Sequence, residues 1–206
     1  MKKVTQQLAL MSTILGLGSL LSTIPAMAGS VDKTAAETTA DVNLKQSATD
    51  NSITLDQAPT YQFKDLELSA SRRDYTATAV NDHLVVRNPG VESGWQVTAK
   101  ISDFKRLSNR QPDGANQLVG AQLTLMSGMV APTEDDNPSV RPVTTNNIVL
   151  SDQDQAIMTA AKGAGLGTYQ LEHVNSQIKL SVPGGNRTGA YQAKITWTLG
   201  NAPTGA

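Results

Sequence analysis

Beyond residue 51 most of the chain consists of short stretches in which apolar and polar residues alternate, separated by clusters of Gly, Pro, Asn and Asp. The alternation is clearest in three places. Trp95, Val97, Ala99 and Ile101 share one parity and Gln96, Thr98, Lys100 and Ser102 the other, so a strand here has one apolar and one polar face. Val119, Ala121, Leu123 and Leu125 repeat the scheme against Gln122 and Thr124. In the longest stretch Tyr191, Ala193, Ile195, Trp197 and Leu199 oppose Gln192, Lys194, Thr196 and Thr198. A period of two with one apolar face predicts half-buried antiparallel strands.

Weaker signals of the same kind predict strands over Ser52–Leu55, Tyr61–Leu68, Tyr75–Val80, Leu84–Arg87, Ile148–Leu150, Thr168–Glu172 and Gln177–Val182. The simplest way for so many short amphipathic strands to bury their apolar faces is against one another. The expected fold is therefore all-β, a two-sheet β-sandwich or barrel-like variant with long loops. Ser151–Ala161 fits two readings. Its Ser-x-x-Asp opening and the nearby Gly163 suit a short helix, while Ala156–Ala160 equally suits a strand. Asn109–Asn116 and Gly128–Asn147 read as loops, the second holding Pro132, Pro138 and Pro142 around Glu134-Asp135-Asp136.

The N-terminal pattern is different. Lys2 and Lys3 precede an apolar run from Leu8 to Ile24, followed by Pro25 and Ala26-Met27-Ala28, which predicts a secretory signal peptide over residues 1–28. The run is short of what crosses a bilayer and is rich in Gly, Ser and Thr, so cleavage rather than anchoring is expected. From Gly29 the chain is rich in Thr, Ala, Ser, Asp and Gln with scattered apolar residues, too few to offset the entropy of ordering. Residues 29–40 are expected to be a flexible lead-in, with an early strand around Val42–Leu44 opening a single β domain over 41–206.

Composition narrows the function. About 178 residues follow Ala28, enough for one well-cored domain. Losing Lys2 and Lys3 from the 17 basic residues leaves 15 against 18 acidic ones, which gives no electrostatic hold on nucleic acid or on an anionic membrane. Cysteine is absent, so stability has to come from core burial although export would permit disulfides. The C-terminal Asn201-Ala202-Pro203-Thr204-Gly205-Ala206 shares Pro-Thr-Gly with sortase signals but is followed by no apolar segment or basic tail, so covalent wall anchoring is not expected.

Catalytic chemistry leaves little trace. His83 and His173 each stand alone, without the ligand spacing of a zinc site, and read as structural or surface residues. No Gly-x-Ser-x-Gly turn marks a nucleophile. Glu134-Asp135-Asp136 lacks the spacing of a calcium loop and reads as a solvated tip. Lys162-Gly163-Ala164-Gly165-Leu166-Gly167-Thr168 matches no phosphate-binding loop and leads into a strand, so its glycines are expected to be turn residues with positive φ. Asn186-Arg187-Thr188 has the form of a glycosylation acceptor and is given no weight. The aromatic residues Tyr61, Phe63, Tyr75, Trp95, Phe104, Tyr169, Tyr191 and Trp197 fall largely among apolar neighbours, which favours core positions over a ligand platform. No catalytic residue, metal or cofactor is expected.

Several segments in order along the chain resemble the WxL domain of Gram-positive surface proteins. They are Ser52-Ile53-Thr54-Leu55-Asp56, Gly94-Trp95-Gln96-Val97-Thr98 with Asp103-Phe104, Leu118 through Leu125, Ala160 through Tyr169, Leu180-Ser181-Val182-Pro183, and Ala190 through Leu199. Of the two motifs only Trp197-Thr198-Leu199 is strictly Trp-x-Leu; the first is Trp95-Gln96-Val97. The resemblance covers roughly residues 41 to 203 and implies a small, domain-only member of the family. It implies a secreted, wall-associated protein attached non-covalently to peptidoglycan. It also implies assembly with membrane-anchored WxL-interacting proteins and other WxL proteins, in complexes linked to adhesion or to external polysaccharide. The binding or structural motif is then Trp95, Val97, Trp197, Thr198 and Leu199. Strand parity places Trp197 and Leu199 inward, with Trp95 expected to pack against Trp197 across the sandwich. A soluble glycan-binding module is the competing reading, and a wall or plant-polymer hydrolase with two carboxylates ~5 to 10 Å apart a distant third.

Overall fold

A computed structural model describes residues 39–107 and 116–202. The expected signal peptide, most of the lead-in, the loop after Ser108 and the last four residues lie outside the described residues. In chain order the strands are β1 (Thr54–Gln57), β2 (Thr60–Gln62), β3 (Arg73–Thr76), β4 (Ala79–Asn81), β5 (Leu84–Asn88), β6 (Trp95–Ile101), β7 (Lys105–Arg106) and β8 (Gln122–Leu125). They continue with β9 (Met129–Pro132), β10 (Val143–Thr144), β11 (Ile148–Val149), β12 (Gln155–Ala160), β13 (Gly167–Glu172), β14 (Ile178–Val182), β15 (Tyr191–Gln192) and β16 (Ile195–Asn201). A single 3-10 turn over Asn175–Gln177 is the only helical element among the described residues.

All pairings are antiparallel. They form three four-stranded sheets, in the orders β1-β5-β13-β9, β10-β12-β6-β16 and β11-β8-β14-β3, and two ribbons, β15-β7 and β2-β4. No sheet closes into a barrel, and the all-β sandwich expected from the alternation is what forms. Its layers are divided among three sheets, but one core serves them all. Leu84, Val86 and Leu171 from the first sheet meet Trp95, Val97 and Met158 from the second and Leu123, Leu125 and Ile178 from the third.

The alternation of β6 is realised in full: Trp95, Val97, Ala99 and Ile101 are buried and the residues between them are half-buried. Val119 is not part of its predicted strand. It sits 63% exposed in a turn, and pairing begins only at Gln122. The predicted loop over Gly128–Asn147 contains β9, paired with β13, and β10, paired with β12, so only its middle is irregular. Val42 and Leu44 form no strand, and among the described residues regular structure starts at Thr54.

Within Ser151–Ala161, Gln155–Ala160 forms a strand and no helix. In β12 the register against β6 shifts between Ala156 and Met158, and both Ile157 and Met158 are buried. A β-bulge of this kind turns two consecutive side chains inward and erases the period of two. The run Ala156-Ile157-Met158 therefore carries no alternation from which a strand could be read.

Candidate functional site

The two Trp motifs are brought together on adjacent strands. β16 pairs with β6 in the register Trp197↔Ala99, Thr198↔Thr98, Leu199↔Val97 and Asn201↔Trp95. Trp95, Val97, Trp197 and Leu199 therefore share one face of one sheet, with Thr198 exposed on the other. This corrects the expectation that the two indoles pack against each other across the sandwich. They stand four positions apart along neighbouring strands, on the order of 13 Å, and each lies opposite a smaller residue.

Their environments differ. Trp95 is 1% exposed, and its indole N–H donates to the Gly165 carbonyl at 3.1 Å. The glycine-rich turn after β12 forms the cover: Gly163, Gly165 and Gly167 all have positive φ, as expected for turn residues. A Cβ on Gly165 would lie 2.8 Å from Trp95 Nε1 and 2.6 Å from the Ala160 Cβ. The turn is held in its own right, since Gly165 N–H donates to Val140 O (2.8 Å) and Asn137 Nδ2–H to Leu166 O (2.9 Å). Tyr169, also fully buried, donates its hydroxyl to Ser139 O at 2.9 Å. Trp95 is thus a core residue closed over by backbone.

Trp197 is half-buried and lines a cleft of about 970 Å³. Ile101, Leu123 and Leu180 are its buried floor. One wall is the Ala58–Leu66 segment and the other the chain from Gly189 through Trp197. Of the chain's two Trp, four Tyr and two Phe, five line this cleft: Tyr61, Phe63, Phe104, Tyr191 and Trp197. The apolar neighbours of these residues in the sequence favour core positions for them. For Tyr191 and Trp197 parity places the side chains on the apolar face of their strands, but it does not say that this face lines an open cleft. Lys64 and Asp65 are the only charged residues among the described ones lining it.

Polar contacts fix the rim. Arg106 stacks over the Tyr191 ring at 5.7 Å and donates to Thr188 O, while Tyr191 donates its hydroxyl to Arg187 O at 2.9 Å. Asn186 clasps the turn below: its Oδ1 accepts from Val119 N–H (2.7 Å) and its Nδ2 donates to Val119 O (3.1 Å) and Pro183 O (3.0 Å). Behind the cleft Tyr61 meets His173 edge-on, with ring centroids 6.3 Å apart. Burial pushes the Tyr61 phenol well above its ordinary pKa. His173 is buried, with Nε2 3.1 Å from Met126 O, and desolvation lowers its pKa against the opposing effect of that hydrogen bond.

A second, more polar cleft of about 590 Å³ continues beyond Ile101 and Phe104, bordered by Asp103 and Asp152. Both are exposed, and Asp103 Oδ2 accepts from Gln117 Nε2–H at 3.2 Å. Glu134–Asp136 occupy an exposed turn, and no group of three His, Cys, Asp or Glu suited to a metal ion occurs among the described residues.

An antiparallel β-sandwich with an aromatic-lined cleft, whose lining carries one cation and one anion, has the form of a β domain that holds a ligand or partner at its surface. The chain belongs to the WxL domain family of surface cell wall-binding proteins, whose family model matches residues 25–203. Cell-wall binding at the cell surface is accordingly the family's role. No curated protein and no solved structure matches the chain.

Proposed function

We propose that the protein is exported, is cut after Ala28, and attaches without a covalent bond to peptidoglycan through the aromatic cleft beside Trp197. There it serves as an assembly point for membrane-anchored WxL-interacting proteins and other WxL proteins in adhesion or in handling external polysaccharide. It acts as a binding module, not an enzyme. The observation that carries the reading is the family match over nearly the whole chain together with five aromatic side chains gathered in one open cleft. Sugar rings present apolar C–H faces that stack on aromatic rings, and their hydroxyls find polar groups such as Gln62 and Gln192 at the margin. With one cation and one anion in the lining, affinity comes from shape and stacking, not from charge.

Sedimentation with purified peptidoglycan tests this. Wild-type protein should pellet with the wall and the Trp197→Ala variant should stay in solution while remaining folded. Soluble glycan that holds the wild-type protein in solution in preference to intact wall would favour the competing reading of a soluble glycan-binding module. On intact cells, denaturant or concentrated salt should release the protein. Release only after muramidase digestion would overturn non-covalent attachment.

A further inference from the structure

The free edges of a β-sheet are sites where foreign strands can pair, and folded proteins blunt them with short strands, proline, charge or bulges. Five of the six edges of the large sheets carry such protection. β1 has a register shift between Leu55 and Gln57, β9 ends in Pro132, and β3 carries Arg73 and Asp74. β10 and β11 are two residues each. The sixth, β16, is seven residues long, pairs with β6 in unbroken register, and contains neither proline nor a charged side chain. β1 comes close to it but pairs with β5. No described residue is hydrogen-bonded to the outer side of β16.

The direction of its backbone groups follows from the ladder. Ser102 N–H donates to Lys194 O, whereas Ile101 N–H turns away to Ser151 O. Antiparallel pairing alternates, so the N–H and C=O of Thr196, Thr198 and Gly200 face β6. Those of Ile195, Trp197, Leu199 and Asn201 face outward, bonded to no described residue. The side chains of Ile195, Trp197 and Leu199 share one face of the sheet and are half-buried, so part of each stays open, and Ile195 and Trp197 line the cleft.

We propose that β16 is a docking edge for an extended, uncharged segment of a partner protein, which adds as a further strand and covers the open flanks of Ile195, Trp197 and Leu199 with apolar side chains at alternate positions. The outward-facing backbone groups specify an extended polypeptide, and the absence of charge along β16 specifies a neutral one. The occupant is a different chain, as the assembly proposed above requires, and pairing of β16 with β16 of a second copy is the outcome that the concentration dependence below would reveal. The inference rests on the assembly part of the proposed function and is separate from wall binding.

Amide hydrogen exchange, read residue by residue by NMR, tests it with a synthetic uncharged peptide of alternating Val and Thr at millimolar concentration. Addition of the peptide should slow exchange at Trp197 and Leu199 by at least about tenfold. Thr196 and Thr198, already bonded to β6, should not change. Leu199→Pro removes an outward N–H without touching the β6 ladder and should abolish the effect, and Asn201→Pro, at the strand's end, should weaken it with less risk to folding. Unchanged exchange in the wild type, or peptide binding that survives both proline variants, would overturn strand addition. So would protection at Trp197 and Leu199 that rises with protein concentration alone, which would mean self-pairing. Co-purification of surface partners that persists with both Leu199→Pro and Asn201→Pro would leave assembly standing and remove the edge as its route.

Discussion

Replacing Trp95 by Ala and, separately, Trp197 by Ala should separate the architectural motif from the exposed one. Trp95 is 1% exposed, packed under the Gly165 turn and hydrogen-bonded through its indole. Truncating such a residue costs ~3 to 5 kcal/mol, and leaves the Gly165 carbonyl without its donor as well. In a domain of this size each kcal/mol moves the melting temperature by ~2 to 4 °C, so a fall of ~6 to 20 °C is expected. For Trp197 the accounting is smaller. An indole buries ~150 to 250 Å² when fully enclosed. Half of that at ~25 cal/mol/Å² is at most about 3 kcal/mol, and the true cost is lower because the unfolded chain already hides some of this surface. Thermal melts followed by circular dichroism, with urea midpoints as a second measure, give both numbers. A Trp197→Ala variant as unstable as Trp95→Ala, or less stable, would refute the assignment of Trp95 to the core and Trp197 to the cleft.

Gly165→Ala should cost ~1 to 3 kcal/mol, since its Cβ would meet Trp95 and Ala160 and its φ is +65°; Gly163→Ala, at φ +76° with open space around it, should cost only ~1 kcal/mol. Equal melting temperatures for the two variants would remove the clamp on Trp95. Burial lowers the His173 pKa below its ordinary 6.5, so the folded state takes up the proton less readily than the unfolded one. The stability this confers is complete above pH 6.5 and is lost as pH falls below it toward the folded pKa. Urea midpoints between about pH 5 and 8 should therefore slope more steeply in the wild type than in His173→Gln, and parallel profiles would exclude His173 as the source. Mass spectrometry of the surface fraction should find Gly29 as the first residue; a species retaining Met1 would exclude cleavage after Ala28.

Local patterning carried the β6 strand and its buried face, because each of Trp95, Val97, Ala99 and Ile101 has a polar neighbour to set the parity. It also carried the turn glycines at 163, 165 and 167, where only a residue without Cβ takes positive φ at no cost. It failed at Ile157 and Met158, where a bulge defined by the partner strand removes the alternation. It failed at Val119 too, whose apolar side chain belongs to a turn clasped by the distant Asn186. The cleft was legible only in its ingredients. Parity says that Tyr191 and Trp197 turn inward, but whether anything fills the space before them depends on how far the Ala58–Leu66 segment stands off, which no local window records. The neighbourly pairing of β6 with β16 is likewise a matter of register between remote segments.

That pairing sets the order of events during folding. β6 is an interior strand whose two neighbours, β12 and β16, both come much later in the chain, and Thr98 has to wait for Thr198. Contacts of such sequence separation form slowly, over milliseconds to seconds, because the intervening chain has to close a long loop first. Without cysteine no covalent bond can hold an early intermediate. The sheet that buries Trp95 is therefore incomplete until Ile195–Asn201 have joined it, and the domain stays pliable until its last strand has arrived.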